Sequence, residues 1–115
     1  MAINQGDIFD HNFGPRQNNL QEGFRPVLIV QTDSLNRLDG YGNVIVVPLT
    51  TKERPSATYI RIEPSKDNGL DQTSWAITNQ VFTLSKSDIK DKRGSISKEG
   101  IYAVKQGLKI ALSIP

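Results

Sequence analysis

Short apolar segments separated by turn-forming residues make up most of this chain, and a single helical pattern follows them at the end. Residues 26–30 and 44–49 are the longest apolar runs, and their length is typical of buried strands rather than helices. Both runs are far too short to cross a lipid bilayer as a helix, so the sequence predicts no membrane span. Many short strands at this spacing favour a small β barrel.

Six segments have the composition or the alternation of strands. They cover residues 8–13, 25–30, 44–47, 58–62, 74–77 and 80–84. The fourth segment alternates, so Tyr59 and Arg61 are expected to share one face, opposite to the isoleucines that follow each of them. Pro48 is expected to end the third strand, and the total is about five or six strands.

The remaining segments complete the expected architecture. Residues 14–23 are polar and show no periodicity, which predicts an exposed loop, and residues 33–36 are expected to form one helical turn. Residues 86–93 mix four cations with two aspartates and are interpreted as a solvated loop. After Ser97, a plausible N-cap, apolar residues recur with helical period to the end of the chain. We therefore expect a single domain over residues 1–115, mainly β with one C-terminal helix.

The amino-acid composition excludes several kinds of site. The chain has no cysteine and a single histidine, His11, which excludes a disulfide framework, a thiolate nucleophile and a zinc site of cysteine and histidine ligands. A magnesium site made of carboxylates alone stays open, but the acidic residues are scattered without the spacing of a metal-binding loop, and no metal ion and no cofactor are expected. A formal net charge of +2 is too small for a sequence-blind nucleic-acid coat, so any RNA binding is expected in a local groove.

Five stretches of the chain carry a family resemblance. They are Gly6-Asp7-Ile8, Gly23-Phe24-Arg25-Pro26-Val27-Leu28-Ile29-Val30, residues 44–51 with their proline, hydrophobic residue and threonine, Gly69-Leu70 before Trp75, and Asn79-Gln80-Val81-Phe82-Thr83. In this order they resemble the signature segments of the MazF/PemK (Kid) toxins of type II toxin–antitoxin systems. The similarity covers nearly the whole chain, and its first fifty or so residues are the most specific part.

The resemblance implies an SH3-like barrel of the CcdB/MazF toxin type that assembles as a homodimer. It further implies a cytoplasmic toxin, a metal-independent endoribonuclease that cleaves single-stranded RNA or mRNA by attack of the 2′-hydroxyl and so inhibits translation and growth. The implied partners are single-stranded RNA and a cognate antitoxin. No membrane is implied, and DNA would be contacted only through an antitoxin complex.

Arg25 and Thr50 are the catalytic residues that the resemblance implies. A ribonuclease without a metal ion can use the neighbouring 2′-hydroxyl of the RNA as nucleophile, so the protein must orient the phosphate, stabilise its charge and move protons. The planar guanidinium of Arg25 can bind two phosphoryl oxygens, and the hydroxyl of Thr50 can hydrogen-bond one. Without the family, an isolated arginine and a threonine at a strand end are more often structural.

The chain departs from the family at two positions. Asn79 stands where many members carry an acidic residue, and an amide cannot act as a general base. Phe82 stands where many relatives carry arginine, and a phenylalanine on a strand is more often a core residue. His11 has an ordinary pKa near neutrality, but a packed, non-catalytic histidine is the preferred interpretation. The general base is therefore unassigned.

Contacts with RNA are expected from two further groups of polar side chains. The first loop supplies Arg16, Gln17, Asn18 and Asn19, and the later segments supply Lys52, Arg54, Tyr59, Asn79 and Gln80. Cations, amide edges and a stacking ring are the groups with which proteins bind single-stranded RNA. Each of these residues could equally be a solvated surface residue.

Two other functions stay open at this point. Gyrase poisons share the expected fold and act through a C-terminal Trp-Gly-Ile, whereas this chain ends in Ser113-Ile114-Pro115 and its only tryptophan is Trp75. A catalytically weakened homologue that still binds RNA or antitoxin would fit Asn79 and Phe82. That homologue is expected to gain activity from the substitution Asn79→Asp.

Overall fold

A computed structural model describes residues 2–15 and 23–115 of the chain. The strands are β1 (Asp7–Asn12), β2 (Phe24–Ile29), β3 (Asn43–Thr50), β4 (Tyr59–Ile62), β5 (Ser74–Ile77), β6 (Phe82–Ser85) and β7 (Lys90–Ser95). The helices are α1 (Asp33–Asn36) and α2 (Lys98–Leu112), and a 3₁₀ turn covers Lys86–Asp88. The fold is therefore mainly β with one long C-terminal helix, as the sequence predicts.

The strands pair in antiparallel fashion in the order β4-β5-β3-β2-β1-β7, and β6 is paired with β3 outside this path. β3 is central because two strands share one of its edges. Its first half pairs with β6, where Val46 faces Phe82, and its end pairs with β5, where Thr50 faces Trp75. This sharing wraps the sheet around the core and gives it a barrel-like form.

Alternate residues of the strands pack into two hydrophobic clusters. Leu28, Leu49 and Ala76 belong to one cluster, which also contains Val104 of α2. Val27, the neighbour of Leu28 in β2, belongs to the other cluster. Successive side chains of a strand point to opposite faces of the sheet. We call the side packed against α2 the helix face and the opposite side the far face.

An N-cap serine and a glycine determine how α2 begins and how it packs. Its N-cap Ser97 accepts a hydrogen bond at Oγ from the N–H of Gly100, 3.1 Å away. A Cβ atom at Gly107 would lie 2.8 Å from Thr78 Oγ1 and 2.9 Å from Ile60 Cγ1, so glycine allows the helix to approach the sheet closely. In the part of the chain that the structure describes, no helix is long and apolar enough to cross a membrane.

Two strand boundaries differ from the predicted ones by two residues or more. β3 does not end at Pro48 but continues to Thr50, because the missing N–H of proline interrupts the ladder at one position only. Pro48 lies opposite Val27 of β2, and pairing continues on the other edge with β5. β6 starts after Gln80 rather than at it, since the N–H of Gln80 closes a turn onto the carbonyl of Ile77, 3.0 Å away.

The interpretation of residues 86–93 as a solvated loop is wrong. They form the 3₁₀ turn and most of β7, which pairs with β1, so the described residues contain seven strands instead of five or six. The register slips twice along this pairing, and charged side chains are typical of such an edge strand. Lys92 Nζ lies 3.4 Å from Oδ1 of the buried Asp7, so one of these cations is tied to the fold.

Candidate functional site

The predicted pair Arg25 and Thr50 lies on one face of the sheet. Val27 of β2 is opposite Pro48 of β3, and Arg25 and Thr50 stand two residues from that pair in the same direction. Residues two apart on a strand share a face, so both side chains lie on the far face. Both are partly exposed. The fold therefore brings the two residues to the same open end of β2 and β3.

The segment after β3 orients the hydroxyl of Thr50. The N–H of Lys52 donates to Thr50 Oγ1 over 3.1 Å. A threonine hydroxyl has one proton to donate and two acceptor positions, so this contact leaves its proton for a ligand. Lys52 and Arg54 are exposed in this segment and form no ion pair with another described residue. Two exposed cations thus follow the threonine in the chain.

Cross-strand partners extend the pair into a row. His11 of β1 is opposite Arg25, and Trp75 of β5 is opposite both Thr50 and Arg61 of β4. Direct partners in antiparallel strands share a face, with Cβ atoms about 4.5–5.5 Å apart. His11, Arg25, Thr50, Trp75 and Arg61 therefore follow one another across the far face, and we call them the cross-strand row. The row places a ring and a cation on each side of the threonine.

A groove with a volume of ≈ 480 Å³ opens beside the row. His11, Phe13 and Phe82 line it with three rings, and Asn79 and Gln80 line it with amides. The centroids of His11 and Phe13 are 4.7 Å apart, and those of Phe13 and Phe82 are 5.3 Å apart. Phe82 also packs against the far-face core cluster, as expected. No carboxylate is found among the described residues that line the groove.

His11 is packed, as expected, but it lies directly opposite Arg25. Burial lowers the pKa of His11 below its ordinary value of 6.5, and the negative charge of Asp88 partly opposes this effect. The neutral imidazole is therefore the favoured form near pH 7. A neutral imidazole has one nitrogen that accepts and one that donates a hydrogen bond. The site thus contains a neutral ring with one nitrogen that can accept a proton.

The two amides of the groove form the turn between β5 and β6. Asn79 Oδ1 accepts a hydrogen bond from Thr58 Oγ1 over 3.1 Å, and Thr58 Oγ1 is 2.8 Å from Ser56 Oγ. The amide nitrogen of Asn79 makes no hydrogen bond with another residue of the described ranges, and the residue is exposed. Asn79 can therefore donate to a ligand but cannot accept a proton from it.

The other predicted RNA-binding residues have mixed outcomes. Tyr59 begins β4, is partly exposed and shares a face with Arg61, as the alternation of this segment predicts. Arg16, Gln17, Asn18 and Asn19 lie outside the described residues. Within residues 2–15 and 23–115, no three histidine or acidic side chains gather where they could hold a metal ion.

Trp75 and Arg61 are functional candidates that the sequence alone does not indicate. The alternation of β4 indicated the face of Arg61, and the chain has one tryptophan only. Neither signal shows that Trp75 lies between Thr50 and Arg61, because that placement depends on the register of three strands.

The family model and the curated relatives that match this chain are proteins of the same kind. The model of PemK-like, MazF-like toxins of type II toxin–antitoxin systems matches residues 4–112. The endoribonuclease MazF of Staphylococcus saprophyticus is 30% identical over 115 residues, which cover 97% of this chain and 92% of the relative. The endoribonuclease EndoA of Bacillus subtilis is 26% identical over 114 residues, which cover 99% of this chain and 97% of the relative.

Solved structures agree with this assignment. An endoribonuclease in complex with its cognate antitoxin, from a mycobacterial species, has a TM-score of 0.82 at 25% identity and covers 99% of this chain and 98% of its own. MazF of Deinococcus radiodurans, at 17% identity, shares the fold with a TM-score of 0.78 over 99% of both chains. The chain therefore belongs to the family of PemK-like, MazF-like toxins of type II toxin–antitoxin systems.

Proposed function

We propose that this chain is a metal-independent endoribonuclease that cleaves single-stranded RNA. Its membership of the toxin family supports the proposal, and relatives at 30% and 26% identity are named endoribonucleases. The observation that carries it is the strand register, which leaves Arg25 and Thr50 on one partly exposed face of the sheet. An arginine fork and a hydroxyl on one face can bind one phosphate together.

The proposed reaction needs no metal ion. The 2′-hydroxyl oxygen of the RNA attacks the adjacent phosphorus, the bond from phosphorus to the 5′-oxygen breaks, and a 2′,3′-cyclic phosphate and a 5′-hydroxyl result. Arg25 stabilises the negative charge that grows on the non-bridging oxygens. Thr50 donates its hydroxyl proton as a hydrogen bond to the same phosphate and holds it in line with the attack.

The reaction also requires two proton transfers. The 2′-hydroxyl must lose a proton, and the departing 5′-oxygen must gain one. Asn79 cannot serve because it has no acidic or basic group. His11 is the member of the cross-strand row with a ring nitrogen that can accept a proton, and water is the other acceptor. Arg25 and Thr50 therefore account for phosphate binding and charge stabilisation, and they leave the base unassigned.

We also propose a homodimer and a cognate antitoxin as the assembly partners. A relative at 25% identity was solved in complex with its cognate antitoxin. Ile110 and Leu112 of α2 are more than half exposed, which offers apolar surface to a second copy. An acidic or amphipathic antitoxin tail would fit the far face, where Arg25 and Arg61 lie, and would compete there with RNA.

Cleavage of single-stranded RNA in the presence of EDTA tests the proposed function. Wild-type protein is expected to produce fragments with 5′-hydroxyl ends, whereas Arg25→Ala and Thr50→Ala are each expected to lose about 100-fold in kcat/KM. Arg37→Ala serves as the control, because Arg37 is an exposed arginine paired with Asp33 away from the row. Intact RNA after incubation with folded wild-type protein, or full activity of Arg25→Ala, would refute the proposal.

A further inference from the structure

Trp75 lies beside Thr50 on the open part of the far face. It is the Cα partner of Thr50 on one side and of Arg61 on the other. Neighbouring strands are about 4.8 Å apart, so the indole is the next side chain after the threonine along the row. Its neighbours Ser74 and Ala76 are buried, whereas Trp75 is partly exposed. The indole therefore lies on the side of the sheet away from α2.

A tryptophan on a strand is usually part of the core, but Trp75 is not. Neither hydrophobic cluster includes it, as a buried member or as a partly buried neighbour. Its ring makes no aromatic and no cation–π contact with another described residue. Large aromatic rings that contribute little to the core of their own chain are suited to bind another molecule.

Arg61 adds a cation next to this ring. Arg61 Nη2 lies 2.6 Å from Glu63 Oε2, and the two side chains are 63% and 57% exposed. A hydrogen bond from Thr73 and the charge of Arg61 lower the pKa of Glu63 below its ordinary value of 4.5, so the carboxylate stays charged at neutral pH. Exposed ion pairs of this kind are weak, and a phosphate can bind the guanidinium in place of Glu63.

We propose that Trp75 and Arg61 form a nucleotide subsite next to the scissile phosphate, on the side of Thr50 away from Arg25. A nucleobase stacks on the indole of Trp75, and Arg61 binds the phosphate that follows. This inference rests on the proposed ribonuclease function and adds to it a site for a second nucleotide. Every base has a π face, so stacking contributes affinity without selecting a sequence.

The single tryptophan makes the subsite directly observable. The indole emission of the wild-type chain reports on Trp75 alone. Titration with an RNA oligonucleotide that carries 2′-O-methyl riboses, and so has no free nucleophile, is expected to quench this emission. Introducing one abasic nucleotide at successive positions should remove the quenching at one position only. Binding seen by anisotropy without any change in indole emission would overturn the subsite.

Substitutions separate stacking from structural support. Trp75→Leu is expected to raise KM for RNA about tenfold with kcat nearly unchanged, whereas Trp75→Phe keeps a ring and should lose much less. Arg61→Gln should weaken binding at low salt, and Arg37→Gln is its matched control because both arginines are 63% exposed and paired with an acid. Equal KM values for wild type and folded Trp75→Leu would contradict the proposal.

The two proposals fail in different ways. If the wild-type chain neither binds nor cleaves single-stranded RNA, the ribonuclease function fails and the subsite fails with it. If RNA is cleaved and Arg25→Ala abolishes cleavage, but Trp75→Leu leaves KM and the abasic scan shows no special position, the subsite alone is wrong.

Discussion

Among single residues, Asn79 occupies the position at which the site lacks a general base. Its side chain lines the groove, and its oxygen is held by Thr58 Oγ1. Replacement by aspartate keeps an oxygen that can accept this hydrogen bond and adds a proton acceptor to a groove whose described lining has no carboxylate. We expect Asn79→Asp to raise kcat for RNA cleavage about tenfold, since general bases contribute at least this much.

The pH profile decides whether Asn79→Asp acts as a base. If it does, the gain should be present above the pKa of the new carboxyl and should vanish when that group is protonated. Asn79→Ala is the control, because it removes the amide without adding a base and should not gain activity. An unchanged or lower kcat for Asn79→Asp at every pH would show that proton transfer does not limit this enzyme.

His11 links the groove to the stability of the fold. Its pKa is lowered in the folded chain, mainly by burial, so folding favours the neutral form. Stability from this group is complete above its unfolded pKa of 6.5 and is lost as the pH falls through the lower, folded value. The melting temperature should therefore decrease as the pH falls below 6.5.

The variant His11→Gln isolates this contribution. It should melt at a lower temperature because it loses the ring contact with Phe13, but its melting temperature should change less with pH over the same interval. Asp33 and Glu63 do not interfere, since their pKa values are lowered from 3.8 and 4.5 and their contributions disappear only in more acidic solution. An equal pH dependence in wild type and variant would contradict the prediction.

At the scale of elements, α2 contains two glycines with opposite expected roles. A Cβ at Gly107 would lie 2.8 Å from Thr78 Oγ1, whereas the nearest atom to a Cβ at Gly100 is Ile96 Cδ1 at 3.3 Å. Alanine gains up to about 1 kcal/mol of helix propensity at either site. Gly107→Ala should nevertheless lower the free energy of unfolding by about 1–3 kcal/mol through overpacking, and Gly100→Ala should change it by less than about 1 kcal/mol.

Chemical denaturation of both glycine variants provides the measurement. Both substitutions replace glycine by alanine in the same helix, so the gain in helix propensity cancels when their free energies of unfolding are compared. The remaining difference reports the close packing at Gly107. A Gly107→Ala variant as stable as Gly100→Ala would mean that α2 does not approach β4 as closely as the structure shows.

The elements with a strong local pattern are the ones the sequence predicts correctly. The helical period after Ser97 identifies α2, and the alternation of β4 identifies the face of Arg61. β7 was missed because its charged residues have no apolar alternation and become a strand only by pairing with β1. Trp75 was missed as a site residue for the related reason that cross-strand neighbours depend on register. Motif similarity predicted Arg25 and Thr50, since it does not require the register to be known.

For the whole molecule, the net charge is small, and several cations belong to the region of one site. The formal net charge is only +2, yet two arginines belong to the cross-strand row with Thr50, and the exposed Lys52 and Arg54 follow Thr50 in the chain. Binding of single-stranded RNA should therefore release few counterions. If these four cations contact phosphates, the logarithm of affinity should fall with the logarithm of salt concentration with a slope of about −3.

Measured affinities for 2′-O-methyl RNA across a salt series test this local distribution of charge. Lys52→Gln and Arg54→Gln should each reduce the slope by about 0.7, the contribution of one phosphate contact to a single strand. Lys109→Gln is the control, because Lys109 lies in the last turn of α2, on the side of the sheet away from the row, and should leave the slope unchanged. A slope steeper than about −5 would mean that RNA covers a wider basic surface than the far face provides.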